Sequence, residues 1–398
     1  MHILHLTWEY PPLVYGGIGR HVPALAAAQA ARGDQVTVVT QRPPEAPAVE
    51  TAAGVEVLRV DPDGPFPYHL PSLLTWVGAL DARIGQAATD VRDVDIVHAH
   101  DWVVARAGAS TAAALDVPLV ATVHATEAGR HSGWLPDIVS RSVHLVEQWL
   151  VDDADAVIVC SAAMADEVHR AHETSPTKIT VIPNGIDPGE RPAPGPIGPR
   201  LLEGSPRITF VGRLEWEKGV FTAVEAMPAV LVEHPGARLR MVGTGGQGDA
   251  IAEAVTAAGL DGTVELLGHV DEQTLADVYA SSDLVIAPSS YEPFGIVALE
   301  AATAGVPLVV GDTGGLAEFV TDDRGRRSRP NDPADLATQI LAALADPVET
   351  ARRRDTAAAA LPHYSWERIA ARTDEVYSRT RRAVRPPRRL AAPPNPVL

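Results

Sequence analysis

Short runs of Val, Ile, Leu and Ala recur along the chain, each followed by a longer Ala-rich stretch that alternates apolar and polar positions. In the first half the runs are Ile3–Leu6, Val36–Thr40, Val55–Val60, Ile96–His98, Leu119–Val123, Ala156–Val159 and Ile179–Ile182. In the second half they are Ile208–Val211, Leu239–Val242, Val264–Leu266, Leu284–Ala287 and Leu308–Val310. Runs without a polar face suit parallel strands covered by helices on both sides. Their alternation with helical stretches predicts right-handed βαβ units, and hence an α/β protein with two doubly wound parallel sheets.

The alternation breaks at Pro183–Pro206, where Gly189–Pro199 is too rich in Pro and Gly for strand or helix. This predicts domains over 1–185 and 207–364 with a linker over 186–206. Beyond the last strand, helices are expected over Pro333–Ala345 and Pro347–Ala360. A final amphipathic helix spans 365–385, with Trp366, Ile369 and Tyr377 as apolar positions. A Pro- and Arg-rich tail follows over 386–398.

A length of 398 residues supports two such domains, each with its own core. The net charge of −18 argues against a nucleic-acid partner, which would call for clustered Lys and Arg. The basic stretch Arg381–Arg389 runs against that trend and reads as a solvated tail, with a membrane-surface or partner role as the alternative. The single cysteine, Cys160, excludes an intrachain disulfide and favours a reducing compartment. It ends an apolar run and reads as a buried small hydrophobe. No secretion signal is visible, and no apolar run approaches the roughly 20 residues of a membrane span, so a cytoplasmic location is expected. Nothing in the sequence sets an oligomeric state.

Chemistry-bearing residues gather where strands end. The first strand runs into Gly16-Gly17-Ile18-Gly19, a turn whose amides can approach a phosphate at a helix N-terminus, although it matches neither a Walker loop nor the dinucleotide fingerprint. Arg213 and Lys218 flank the loop after Ile208–Val211, where open α/β sheets bind ligands. Together they can neutralise a pyrophosphate, Arg213 by a bidentate fork and Lys218 as a point charge; taken in isolation, the pair reads first as surface charge paired with Glu215 or Glu217. The stretch Glu292-Pro-Phe294-Gly295-Ile296 to Glu300 follows Leu284–Ala287. A helix starting just after Pro293 would offer free amides near Phe294 and Gly295, with Glu300 about 8–12 Å farther along the axis than Glu292. Carboxylates so placed suit hydroxyls at opposite ends of one elongated ligand. His124 follows Leu119–Val123 in a polar, aromatic loop and is a catalytic candidate, a satisfied structural histidine being the alternative. His98-Ala-His100-Asp101-Trp102 has the look of metal ligands, but no convincing further set accompanies it, so no metal is expected.

The combination of Gly16-Gly17-x-Gly19, His124, Pro183-Asn-Gly-Ile-Asp187, Gly212-Arg213 to Lys218-Gly219, and the two glutamates eight apart at Glu292 and Glu300 resembles glycosyltransferase family 4 over nearly the whole chain. Within that family, Trp8–Pro12, His98–Trp102, His124–Trp134 and Tyr291–Gly295 look closest to actinobacterial glycogen-synthase-like α-1,4-glucosyltransferases. The resemblance implies a GT-B fold, two Rossmann-like domains facing a cleft, with the last helix returning to the first domain. It also implies a hexosyltransferase that retains anomeric configuration. Its donor would be UDP-glucose or ADP-glucose. Its acceptor would be an α-glucan, with maltose-1-phosphate synthesis or a small or lipid-linked acceptor as alternatives.

Carried over by position, Arg213 and Lys218 bind the donor diphosphate, Glu300 the ribose and Glu292 the sugar. Amides of Phe294, Gly295 and Ile296 fix that sugar, Gly16 and Gly17 lie against the diphosphate, and His124 lies beside the sugar. Asp101 and Glu127 are acceptor-side candidates. No cofactor or essential metal is implied beyond the nucleotide-sugar co-substrate. A nucleotide-sugar epimerase, a two-carboxylate glycosidase and a non-catalytic binder are the competing readings. A glycosidase pair would flank one bond, roughly 5–9.5 Å apart.

Overall fold

The computed structural model describes residues 1–64, 70–187 and 205–383. The chain divides into two compact units, Met1–Gly185 with Trp366–Leu398, and Ile186–Ser365.

Unit 1 contains an eight-stranded sheet. Its strands are β1 (His2–Leu6), β2 (Gln35–Gln41), β3 (Val49–Ala52), β4 (Val55–Val60), β5 (Ile96–His100), β6 (Leu119–Val123), β7 (Ala156–Val159) and β8 (Ile179–Val181). Their order is β3-β4-β2-β1-β5-β6-β7-β8. The chain winds outward from β1 in one direction and, after returning to β5, in the other. That reversal places the ends of β1 and β5 side by side at the switch point of a doubly wound sheet. All ladders are parallel except β3–β4. The helices are α1 (Ile18–Ala31), α2 (Leu70–Thr89), α3 (Ala105–Leu115), α4 (Glu127–Arg130), α5 (Ile138–Asp153) and α6 (Ala162–His172).

Unit 2 repeats the plan with β9 (Arg207–Val211), β10 (Arg238–Val242), β11 (Val264–Gly268), β12 (Leu284–Ala287), β13 (Leu308–Gly311) and β14 (Arg326–Ser328), ordered β11-β10-β9-β12-β13-β14 and parallel throughout. Its helices are α7 (Val220–Glu233), α8 (Gly248–Ala257), α9 (Glu272–Ala280), α10 (Ile296–Thr303), α11 (Gly314–Phe319), α12 (Pro333–Ala345) and α13 (Pro347–Ala360). Here the switch point lies between β9 and β12.

The last helix, α14 (Trp366–Arg382), packs in unit 1. It buries Ile369, Val376 and Tyr377 in the same core as Ile3, Val22, Val36 and Ile96. Its charged side bonds to that unit through Arg32–Asp374 at 3.0 Å and Arg381–Asp95 at 2.6 Å.

The strands found match the apolar runs to within two residues at either end. Two further strands, β3 and β14, lie at sheet edges and carry polar sequences. Ile186, expected in the linker, is hydrogen-bonded through its amide to the Tyr364 carbonyl and belongs to unit 2. The Pro-rich stretch 189–199 and the tail 386–398 lie outside the described residues. Cys160 is buried. Among the described residues no helix is long and apolar enough to cross a membrane.

Candidate active site

In unit 2 the loop after β9 and the loop after β12 are fastened together. The first runs from Gly212 through a short 3₁₀ turn, Trp216–Lys218, to Gly219, which adopts a left-handed conformation with φ of 71° and starts α7. A Cβ at Gly219 would collide with the Pro288 carbonyl of the second loop, so only glycine permits the approach. The amides of Ser290 and Tyr291 then donate to the Glu217 carbonyl at 2.8 and 3.3 Å. Gly219→Ala should destabilise unit 2 by about 3 kcal/mol, from the strained φ together with the clash. Urea unfolding measures it.

This stitching brings charge together at the strand ends. Lys218 Nζ donates to Glu292 Oε2 at 2.7 Å, with both side chains largely buried. Arg213 bonds the buried Glu217 at 2.8 Å and is itself 42% exposed, leaving part of its guanidinium open to a ligand.

The second loop is held from its other side as well. The Gly315 amide donates to the Glu292 carbonyl at 3.0 Å, and a Cβ at Gly314 would strike that same carbonyl. Helix α10 begins at Ile296, with Gly295 (φ 91°) as its cap, so Phe294 and Gly295 precede the helix instead of forming its first turn. The earlier start expected from Pro293 fails because Gly295 is left-handed. Gly295 has no side chain with which to cap α10, so the amides of Ile296 and Val297 receive no side-chain cap from it, while the Ala298 amide donates to the Gly295 carbonyl at 3.0 Å. Glu300 consequently lies about one turn inside α10. It is buried and accepts a hydrogen bond from Tyr279 Oη of α9 at 2.8 Å. Glu217 is one of the two glutamates expected to pair locally with the cations, and it does pair with Arg213. Tyr279 did not stand out in the sequence; it is an ordinary helix residue until the fold places it beside Glu300.

In unit 1, histidines from four strand and helix ends meet. His5 Nε2 bonds Gln29 Oε1 at 2.8 Å, His5 Nδ1 bonds His100 Nε2 at 3.0 Å, and His100 Nδ1 bonds His124 Nε2 at 3.2 Å. Burial, the first cause in each case, lowers the pKa of His5 to about 4 and those of His100 and His124 well below the ordinary value. Each neutral ring carries one N–H, so the Gln29 oxygen orients the row: His5 Nε2 donates to it, His100 donates to His5, and His124 donates to His100. That leaves His124 Nδ1 as an acceptor. Beside the row, Tyr377 Oη donates to His98 Nδ1 at 2.6 Å, and His98 Nε2 donates to Thr122 Oγ1 at 2.6 Å. His21 bonds Asn184 at 2.9 Å.

His98 and His100 therefore do have neighbours of ligand type, in two groups with His5 and with His21 and His124. The sequence concealed this because those residues are far apart along the chain. Both ring nitrogens of His5, His98 and His100 are already taken by hydrogen bonds within the cluster.

The other candidates serve the same region. Asp101, at a strained φ of 61°, accepts from the His124 amide at 2.7 Å and so fixes that residue's backbone. Burial raises the Asp101 carboxyl to about 7. Glu127 opens α4; its amide donates to both oxygens of Glu147 at 2.9 and 3.2 Å, and its carboxylate lies 3.3 Å from His131. Gly17 caps α1. The amides of Tyr15 and Gly16 both donate to Glu9 at 2.8 Å, so the Gly16 amide is committed inside the turn to a carboxylate already on the chain.

Two doubly wound units, each gathering polar groups at the ends of its parallel strands, are the architecture of nucleotide-dependent transferases of the GT-B class. Residues 15–190 match the family described as Glycosyltransferase Family 4, and residues 199–360 match Glycosyl transferases group 1. A glycogen synthase of Mycobacterium tuberculosis is 38% identical over 97% of both chains. A D-inositol 3-phosphate glycosyltransferase of Kineococcus radiotolerans is 33% identical over 92% of this chain and 90% of that one. Among solved structures, sucrose-phosphate synthase from Thermosynechococcus elongatus superposes with a TM-score of 0.79 at 25% identity, covering 95% of this chain and 98% of that one. The chain belongs to glycosyltransferase family 4 and is a glycosyltransferase.

Proposed function

We propose that the protein transfers glucose from a nucleotide-diphosphate donor to an α-1,4-glucan or a related acceptor, with retention at the anomeric carbon. The observation that carries this reading is the Lys218–Glu292 contact between two strand-end loops. One group suits a diphosphate oxygen and the other a sugar hydroxyl, and in the free protein each serves as the other's counterion. Arg213 adds a second cation to the diphosphate. Glu300, aligned by Tyr279, takes the ribose hydroxyls, and the first amides of α10 fix the sugar. Charge that develops on the departing diphosphate then meets donors already in place, the largest source of rate enhancement available to such a site.

His124, neutral and orientated through His100, lies beside the donor sugar in this reading, and Gly17 lies against the diphosphate. No side chain is assigned as covalent nucleophile; the departing phosphate takes the acceptor proton on the face it leaves. The likeness to the mycobacterial glycogen synthase supports a glucan acceptor. The likeness to the inositol-phosphate enzyme keeps a small phosphorylated acceptor as the second reading. Incubation with UDP-glucose or ADP-glucose and a panel of acceptors, followed by product mass and nucleotide-diphosphate release, tests both. Hydrolysis without an acceptor, or release of no nucleotide diphosphate, would contradict transfer.

Two further results are expected. Tyr279→Phe should raise donor KM about tenfold, with a smaller change in kcat, because a hydrogen bond to a charged group contributes about 1.5–3 kcal/mol; steady-state kinetics with varied donor measures the split. Because Arg213 and Lys218 supply the positive charge, donor turnover should need no divalent cation. EDTA-treated enzyme assayed without magnesium should keep its rate, and a rate restored only by added magnesium would refute this.

A further inference from the structure

Behind the α4 segment, unit 1 carries a second cluster that the transfer reading does not use. His144 and Glu147 are three residues apart on α5, hence on one helix face, and His172 ends α6 against them. One ligand atom from each of the three lies within 4.8 Å of the others. His172 is 1% exposed, and neither of its ring nitrogens has a hydrogen-bond partner; His144 Nδ1 is also buried without one. Glu147 Oε2 stands 3.6 Å from His172 Nε2, too far for a hydrogen bond.

Two stacked imidazoles, with ring centroids 4.7 Å apart, thus leave three buried nitrogens unsatisfied beside a buried carboxylate. Leaving such groups without partners is costly, which is why buried polar atoms so rarely lack one. The strand-end histidines His5, His98 and His100 differ, since all their nitrogens are engaged.

We propose that His144, Glu147 and His172 form a binding site for a zinc-type divalent transition ion. Two nitrogens and one carboxylate oxygen are the ligand set such an ion favours, with the remaining position left for water. Bonds of about 2.0–2.1 Å in tetrahedral geometry set ligand atoms roughly 3.4 Å apart, close to the spacing between Glu147 and His172. Glu147 is aligned by the Glu127 amide, as ligating carboxylates commonly are by an outer partner. The ion would join α5 to α6 and lies outside the groups assigned to the donor.

The test is titration of tag-free, EDTA-washed full-length protein with Co²⁺, followed by displacement with Zn²⁺. One equivalent of Co²⁺ should give the visible ligand-field bands of a low-coordinate nitrogen-oxygen site, and Zn²⁺ should abolish them. His172→Gln and His144→Gln should each weaken Co²⁺ binding about 100-fold or more, exceeding the loss from removing an outer partner. The surface control His363→Gln should leave it unchanged. Bands that survive both site variants, or wild-type protein that takes up no Co²⁺ while folded by circular dichroism, would overturn the assignment. If His172→Gln fails to fold, the half-buried His144 decides the question.

Discussion

Lys218→Ala should lower kcat by about 10²–10³-fold while the protein stays folded. A preorganised charged donor aimed at developing negative charge contributes about 3–4 kcal/mol to a transition state, and Lys218 is the buried member of the cationic pair. The loss should fall mainly on kcat, since the diphosphate gains charge as the sugar leaves. Arg213→Ala should show the same direction with a smaller effect, because Arg213 is more exposed and already shares its charge with Glu217. Removing Lys218 also leaves Glu292 without its counterion, so Lys218→Arg is the useful companion: charge is kept while a planar fork replaces a point charge. Circular dichroism and steady-state kinetics read the outcome together. A folded Lys218→Ala enzyme within threefold of wild-type turnover would remove Lys218 from the chemistry.

Acid should unfold unit 1 well before ordinary carboxylate titration would. Burial lowers the pKa of His5, His21 and His172 to about 4, drives those of His98, His100 and His124 well below the ordinary value, and lowers that of His144. Between about pH 6.5 and 4 the unfolded chain takes up these protons and the folded one refuses them, so stability falls as pH falls. Four carboxyls oppose the trend. Burial raises Asp81 and Asp101 to about 7, Glu147 to about 8, and Asp374 in the same direction. Across that window the folded state holds the protons of Asp81, Asp101 and Glu147 while the unfolded state has largely released them.

Seven imidazoles against four carboxyls leave a net uptake on unfolding, each net proton being worth roughly 1.4 kcal/mol per pH unit. Above about pH 7 only the carboxyl effect remains, and stability should decline slightly, giving a maximum near neutrality. Of the seven tryptophans, all but Trp216 lie in unit 1, so tryptophan fluorescence in urea at several pH values reports this unit. Midpoints that stay level from pH 6.5 to 4.5 would contradict the prediction.

Which parts of this were legible in advance follows from where the information lies. Central parallel strands are buried on both faces, so β1, β6, β7, β9 and β12 announce themselves as unbroken apolar runs. Edge strand β3 is largely exposed and edge strand β14 is half-buried; their sequences, Val-Glu-Thr-Ala and Arg-Arg-Ser, carry no run that an apolar pattern marks. Helices α12 and α13 were readable to the residue because each begins with Pro at its first position. The start of α10 was misread by two residues because a left-handed Gly295, and not Pro293, sets it. The charged site residues were legible as spacings within short loops. Their partners were not, because Tyr279 to Glu300, Glu9 to Gly16 and Gln29 through His5 and His100 to His124 are contacts made by folding.

The claim that Arg213 and Lys218 receive the donor diphosphate is tested most directly by calorimetric titration with UDP and ADP, which carry the diphosphate and ribose but no sugar. The Arg213→Ala/Lys218→Ala protein, still folded, should bind whichever nucleoside diphosphate the wild type prefers about 100-fold more weakly, since each charge-assisted bond contributes about 1.5–3 kcal/mol. Glu292→Gln should bind it nearly as wild type does, because that carboxylate is assigned to the sugar. Equal affinity in the double variant and the wild type would contradict the account.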